Sequence, residues 1–206
     1  HIEHMIDFSV KGLVNRDKSL LKTVIKDYET RANRYELDID ELCTTLIAQF
    51  QPMAKDLRTI LMIYNMNGVL ERMGDHTVNI AKNALELLKV QPIKPFIDIP
   101  RMNELVRNML ADTIQAFIDK KTERAMEICK RDATIDGLRD QILRELITFM
   151  SANPAIISSC IHILRIAENL ERIADLTTNL SENIVFMLEG RVIKHHHQGN
   201  DGKSIK

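Results

Sequence analysis

The stretch LERMGD at residues 70–75 returns as LERIAD at residues 170–175, one hundred residues later in the chain. The similarity continues past the hexapeptide, where Thr77, Asn79 and Ile80 are matched by Thr177, Asn179 and Leu180. A repeat of this length indicates a duplicated supersecondary unit. The sequence therefore predicts two similar halves before any other feature is considered.

The hexapeptide carries two carboxylates four residues apart, Glu71 with Asp75 in one copy and Glu171 with Asp175 in the other. Residues at this spacing share one face of a helix, where like charges cost about 0.2–0.5 kcal/mol. A bound cation would remove that repulsion in both copies. The alternative is a pair of solvated acidic faces that neighbouring basic residues neutralise, namely Arg72, Arg172, Arg31 and Lys82.

Composition favours a helical protein. The chain has 206 residues, 45% of them hydrophobic, with few aromatic residues, few glycines and prolines, and no tryptophan. Its net charge of −1 provides no basic field for nucleic acid. No apolar run reaches the roughly 18–20 residues that span a bilayer, and no signal peptide is visible. The three isolated cysteines indicate reduced core residues of a cytosolic protein.

Prolines at positions 92, 95 and 100 predict a linker over residues 91–100, because proline is excluded from helix interiors. On either side we predict three helices. The first half, residues 1–90, has helices ending near residues 15 and 49 and a third opening at Pro52. The second half, residues 101–190, has helices near 101–119, 122–150 and 154–189. The expected fold is all-α, with six long helices in two pseudo-symmetric three-helix bundles and a flexible tail at 191–206.

Hairpin geometry predicts which acidic residues meet, because residues equally far from a turn lie at the same height. With the turns placed at residues 51 and 153, Glu29 and Asn33 face Glu71 and Asp75. In the second half, Asp132 and Asp136 face Glu171 and Asp175. Glu36 and Asp40 have the same spacing but lie five to seven residues nearer the turn, about 8–10 Å away, and rank second.

These oxygen ligands suit hard cations such as Mg²⁺, Ca²⁺, Mn²⁺ or iron. Asn33 contributes no charge, so the first cluster is expected to be the weaker one. Zinc would more often use histidine or cysteine, and only His76 lies close in sequence. The histidines at 195–197 are better explained as part of the tail or as a tag remnant than as ligands.

Several segments together resemble the PhoU family of phosphate-uptake regulators. They are QPMAKDLR at residues 51–58, the two hexapeptides with Asn79 and Asn179, and DATID at residues 132–136. The similarity extends from about residue 3 to residue 194. It implies a cytoplasmic, often dimeric protein of two three-helix bundles. The family's first helix begins further upstream, so we expect that the natural chain does too.

The resemblance also implies a function. Family members relay the state of the phosphate ABC transporter to a sensor histidine kinase and restrain uptake, and any contact with the membrane is through those partners. Some members hold multinuclear iron or zinc clusters on E/DxxxD motifs. These motifs correspond here to Glu71/Asp75, Asp132/Asp136 and Glu171/Asp175, with Glu29/Asn33 as an imperfect fourth.

Two other functions remain open at this stage. Similar helical domains are appended to membrane phosphate transporters, so the chain could be the regulatory part of one. A carboxylate-bridged di-metal enzyme is the other alternative, but such bundles carry Glu-x-x-His, which this sequence lacks. It also has no phosphate-binding loop or GxGxxG motif, so we expect a protein without catalytic activity.

Overall fold

Helices account for nearly all of residues 1–189, the part of the chain that the computed structural model describes. In chain order they are α1 (Ile2–Val14), α2 (Lys18–Thr23), a π-helical segment (Val24–Tyr28), α3 (Glu29–Phe50), α4 (Ala54–Leu87), α5 (Asp98–Asp119), α6 (Thr122–Ala152), a 3₁₀ turn (Pro154–Ile156) and α7 (Ile157–Glu189). No strand occurs within residues 1–189. The predicted tail at 191–206, with its three histidines, lies outside them.

The helix ends follow local sequence signals. Asp17 caps α2 by accepting a hydrogen bond from the Leu20 N–H (3.0 Å). Pro100 lies in the first turn of α5, where its missing N–H leaves no donor unpaired. Because α5 begins at Asp98, the last three residues of the predicted linker belong to this helix. Pro52 does not open a helix, however. It lies in the turn between α3 and α4, and Met53 is the residue that flanks the start of α4.

A π-helical segment interrupts the second helix, which the sequence pattern predicts as one regular α-helix. From Val24 to Tyr28 the hydrogen bonds widen, so α2, this segment and α3 form one continuous but irregular helix. One extra residue in a turn changes which side chains the following residues present to each neighbour. The acidic residues of α3 follow directly after this irregularity.

The two halves pack into one core. Helix α4 packs along α7, and α1 packs against α5. Across the α4–α7 contact, His76 donates to Asn169 Oδ1 (2.9 Å) and His162 donates to Asn83 Oδ1 (2.8 Å). In both pairs a residue late in one helix meets a residue early in the other, so the helices are antiparallel. The offset of one hundred residues relates each position on α4 to one on α7, so exchanging the two halves maps the α4–α7 interface onto itself with its ends swapped. This is the pseudo-twofold symmetry that the repeat predicts.

The buried residues confirm that the hexapeptide positions the core. Leu170, Ile173 and Ala174 are completely buried, as is Met73 in the first copy. Between α1 and α5, the buried Asp7 carboxylate accepts a hydrogen bond from Arg107 (2.9 Å) and pairs with Lys11 (2.7 Å). No helix within the described residues is long and apolar enough to cross a membrane.

We predict opposite effects of alanine at two helical glycines. A Cβ on Gly12 would lie 2.6 Å from Leu21 Cδ2, and Leu21 is completely buried and cannot move away. Gly12→Ala should therefore lower the free energy of unfolding by about 1–3 kcal/mol. A Cβ on Gly74 would meet Ile2 Cδ1 at 3.4 Å, so Gly74→Ala should gain helix propensity and stabilise by up to about 1 kcal/mol.

Urea denaturation of the two variants measures both effects. The second copy of the hexapeptide already has alanine at the equivalent position, residue 174, where it is fully buried. Equal destabilisation by both substitutions would contradict the described packing of α1 and α2.

Candidate functional site: two carboxylate faces

The second half brings three carboxylates into mutual electrostatic contact. Asp136 of α6 faces Glu171 and Asp175 of α7. Partial burial, Asp175 and Asp136 raise the pKa of Glu171 above its ordinary value, against a lowering by Arg139 and Arg172. Partial burial and Asp136 likewise raise the pKa of Asp175. The face therefore holds negative charge that hydration no longer fully stabilises.

Arg139 is the positive group nearest to this face. Its Nη2 lies 3.9 Å from Glu171 Oε1, and its Nη1 lies 3.3 Å from the exposed Asp140 carboxylate. Its Nε is buried and forms no hydrogen bond with the described residues. Both ion-pair distances are long for a charge-assisted hydrogen bond, so the guanidinium compensates the three carboxylates only in part.

Asp132, the remaining predicted ligand of this half, lies one helical turn before Asp136 on α6. Its charge reaches the buried Cys129 thiol. Burial, with smaller contributions from Glu182 and Asp132, raises the pKa of Cys129 to about 11. The thiol is therefore protonated at neutral pH and is a poor metal ligand. Cys43, Cys129 and Cys160 are all buried and reduced, as the sequence indicates.

In the first half, the α3 residue that lies beside Glu71 is not the one selected by counting residues from the turn. Partial burial, Asp75 and Glu36 raise the pKa of Glu71, whereas Glu29 makes no such contribution. Asn67 fixes this register, because its amide donates to the Glu36 carbonyl and to Asp40 Oδ1, both at 2.8 Å. Glu29 lies at the start of α3, half-buried, and the following turn carries the exposed Asn33. The predicted pairing of Glu29 and Asn33 with Glu71 and Asp75 is corrected accordingly.

The position of the turn does not explain the difference. The turn occupies residues 51–53, and counting from its centre at residue 52 still puts Glu71 opposite residue 33 and Asp75 opposite residue 29. The side of α3 that meets α4 decides instead, because Ala32 is buried beside Gly74 whereas Asn33 is exposed. A better signal was present in the repeat itself. Glu36 and Asp136 are separated by one hundred residues, as are Glu71 and Glu171.

The same offset of one hundred residues can be applied to Asp132, the remaining predicted ligand. It shows where the acidic faces of the two halves differ. Asp132 corresponds to Ala32, which is buried and lies 3.9 Å from the place where a Cβ on Gly74 would be. The first half thus lacks its fourth carboxylate at residue 32, not at residue 33. That the first-half face binds a cation more weakly than the second stays a prediction.

A cavity of about 370 Å³ lies beside the first acidic face. Glu36 and Glu71 form part of its wall, and the rest is mainly apolar, with Tyr35, Leu70 and Leu110 among the lining residues. Leu70 is consequently half-buried, whereas its counterpart Leu170 is completely buried. The duplicated halves therefore differ in packing at the same hexapeptide position.

The chemistry of the second acidic face fits a hard cation, because its donors are carboxylate oxygens with raised pKa values. Its geometry is not that of a preformed site. Among residues 1–189, no three histidine, cysteine, aspartate or glutamate side chains converge as a metal would require. A cation would need the carboxylates of α6 and α7 to turn toward one another.

Comparison with known proteins decides the family. The model of the PhoU domain matches the chain twice, at residues 1–84 and at residues 99–184. The chain belongs to the PhoU family. The ends of the two PhoU matches, residues 84 and 184, are one hundred residues apart, as are the hexapeptides.

Relatives agree over almost the whole chain. The phosphate-specific transport system accessory protein PhoU homolog of Aquifex aeolicus is 36% identical over 98% of this chain and 91% of its own length. Homolog 2 of Thermotoga maritima is 34% identical over 95% of this chain and 83% of its own length.

Solved PhoU structures share the fold. Crystalline PhoU from Pseudomonas aeruginosa superposes with a TM-score of 0.86 at 29% identity, covering 92% of this chain and 91% of that one. The phosphate transport system regulatory protein PhoU from Streptococcus pneumoniae gives 0.84 at 27% identity, covering 94% and 90%. The all-α architecture of two pseudo-symmetric three-helix bundles is confirmed.

Proposed function

We propose that this protein is an accessory regulator of a phosphate transport system. It restrains phosphate uptake and starvation signalling by acting as an adaptor between the transporter's ATPase and a sensor histidine kinase. The observation that supports this most strongly is the double match to the PhoU domain. The relatives from Aquifex aeolicus and Thermotoga maritima are named phosphate-specific transport system accessory proteins, and the match covers more than four fifths of the length of each.

An adaptor of this kind works by binding and not by catalysis. We therefore propose a cytoplasmic, homodimeric protein without catalytic turnover, which reaches the membrane only through its partners. The raised pKa values of Glu71, Glu171 and Asp175 follow from burial and from neighbouring carboxylates. Such shifts accompany catalytic groups, but also structural and ion-binding ones. In this protein the three groups with raised pKa values lie on solvent-accessible helix faces whose candidate ligands are all carboxylates.

Cation binding is the second part of the proposal. We assign it to the second half, where Asp132, Asp136, Glu171 and Asp175 would hold the ion after their side chains turn inward. Glu71, Asp75 and Glu36 would form the weaker first-half site. Carboxylate donors favour iron, manganese, magnesium or calcium over zinc. A bound cation would neutralise the carboxylate charge that Arg139 compensates only in part.

Binding to the transporter's ATPase tests the adaptor role. The purified protein should form a complex with the ATPase subunit of the phosphate transporter from the same organism, measured by co-elution in size-exclusion chromatography. The cytoplasmic part of the sensor kinase should bind in the same assay. An ATPase subunit from an unrelated ABC transporter serves as the control. Failure of both phosphate-system partners to bind, with both shown to be folded, would contradict the proposal.

A further inference from the structure

A basic cavity lies where the start of α4 meets the α5–α6 turn and the end of α7. Its volume is about 250 Å³, and the cations Lys55, Arg58 and Lys120 line it together with Thr59, Met187 and Leu188. None of the lining residues is acidic. Three cations around one concave space favour an anionic group there.

A second, apolar cavity adjoins the basic one. It has a volume of about 230 Å³ between α4 and α7, and its lining includes Leu61, Met62 and Phe186. Arg58 and Met187 line both cavities, so the two form one groove. Leu61 and Phe186 are 50% and 52% exposed and line the same cavity, so they form one accessible apolar patch.

Within residues 1–189, no ion pair neutralises the positive charge of this groove. The ion pairs between described residues do not include Lys55, Arg58 or Lys120. Asp119, the acid next to Lys120, pairs with Arg124. Asp56 and Glu189 follow lining residues in the chain, but neither lines the cavity.

The duplicated half shows that the fold itself does not require these cations. One hundred residues after Lys55 and Arg58, the 3₁₀ turn before α7 carries Ala155 and the first turn of α7 carries Ser158. Both halves nevertheless build the same helix. The basic groove is therefore a feature added to one end of the molecule, not a by-product of helix formation.

Charge also identifies the kind of occupant. Residues 190–206 follow directly after the groove, but they carry Arg191, Lys194, Lys203 and Lys206 against a single acid, Asp201. The net positive charge of this segment does not complement the three cations. An acidic segment of another protein is complementary, and the concave apolar cavity suits a single large side chain better than a flat lipid surface does.

We propose that this groove is a docking site for an acidic segment of a partner protein. A partner carboxylate lies among Lys55, Arg58 and Lys120, and a neighbouring leucine or phenylalanine of the partner enters the cavity beside Leu61 and Phe186. This inference deepens the proposed adaptor role and rests on it for the existence of a partner. It assigns the surface and the chemistry of the partner.

A labelled peptide of sequence GELLDEFLEELLDG is the probe, with its binding to the full chain followed by fluorescence anisotropy. Arg58→Glu combined with Lys120→Glu should weaken binding by about tenfold or more, because each close charge pair contributes on this scale. Leu61→Ser should weaken it at unchanged charge. Lys130→Glu, an exposed charge reversal on α6, is the matched control and should change binding little. Circular dichroism verifies that each variant is folded.

Several results would overturn the inference. They are equal binding of the neutral analogue GQLLNQFLQQLLNG, an unchanged affinity in the Arg58→Glu, Lys120→Glu double variant, and preferential binding to anionic phosphatidylglycerol vesicles. Much tighter peptide binding by a chain ending at Glu189 would show that residues 190–206 cover the groove, which also overturns it. Each of these results leaves complex formation with the transporter's ATPase unaffected, so the two proposals fail separately.

Discussion

Leu170→Ala is expected to lower the free energy of unfolding by about 2–5 kcal/mol, the range for emptying a close-packed site of a leucine side chain. Leu170 is completely buried in the core that joins the two halves. Leu70 occupies the same place in the first hexapeptide, but it is half-buried and already borders a cavity of about 370 Å³. Leu70→Ala therefore removes fewer contacts and should cost clearly less.

Guanidinium chloride denaturation, followed by circular dichroism, compares the two variants directly. They change the same residue type at equivalent places of one repeat, so differences in helix propensity cancel. Equal losses would mean that the two halves pack alike at the hexapeptide, in conflict with the cavity beside Leu70.

Glu171→Gln is expected to change stability in opposite directions with and without a divalent cation. Without a cation, the wild-type carboxylate has a raised pKa, so ionising it is less favourable in the folded state than in the unfolded chain. This destabilisation is absent below the ordinary pKa of glutamate and complete above the raised pKa of Glu171. The cation-free variant should therefore have a higher Tm than the wild type at neutral pH, and the difference should disappear as the pH falls.

With Mn²⁺ added, the order should reverse. An ion that binds only the folded state stabilises it by about 2.7 kcal/mol at a hundredfold excess over its Kd. Wild type should gain this stabilisation, whereas Glu171→Gln should lose most of it. Glu127→Gln, at an exposed position on α6, is the control and should respond to Mn²⁺ as the wild type does. A Tm of the wild type that does not change with Mn²⁺, Mg²⁺, Ca²⁺ or iron would refute cation binding at this face.

Much of the fold was predictable because its signals are local or repeated. The hexapeptide identified the duplicated unit, and the prolines at 92 and 95 lie in the segment that separates α4 from α5. Asp136 of α6 also lies close to Glu171 and Asp175 of α7, since it raises the pKa of both. In that hairpin the turn at residue 153 was placed correctly.

The first-half register was not predictable from spacing alone. Spacing gives the height of α3 against α4 but not which side of α3 meets α4, and here Glu36 and the buried Ala32 face α4 while Asn33 is exposed. The π-helical segment before α3 contains no glycine or proline that would have marked it in the sequence. The cations of the groove come from two distant parts of the chain, Lys55 and Arg58 at the start of α4 and Lys120 after α5, so only the fold brings their charges together.

The central claim, that this protein restrains phosphate uptake, is tested most directly by deleting its gene in cells with an intact transporter and sensor kinase. Output from a phosphate-starvation promoter is then measured in phosphate-rich medium. We expect that the deletion derepresses the promoter and that a plasmid copy of the wild-type gene restores repression. Promoter output that stays at the wild-type level in the deletion strain would contradict the claim.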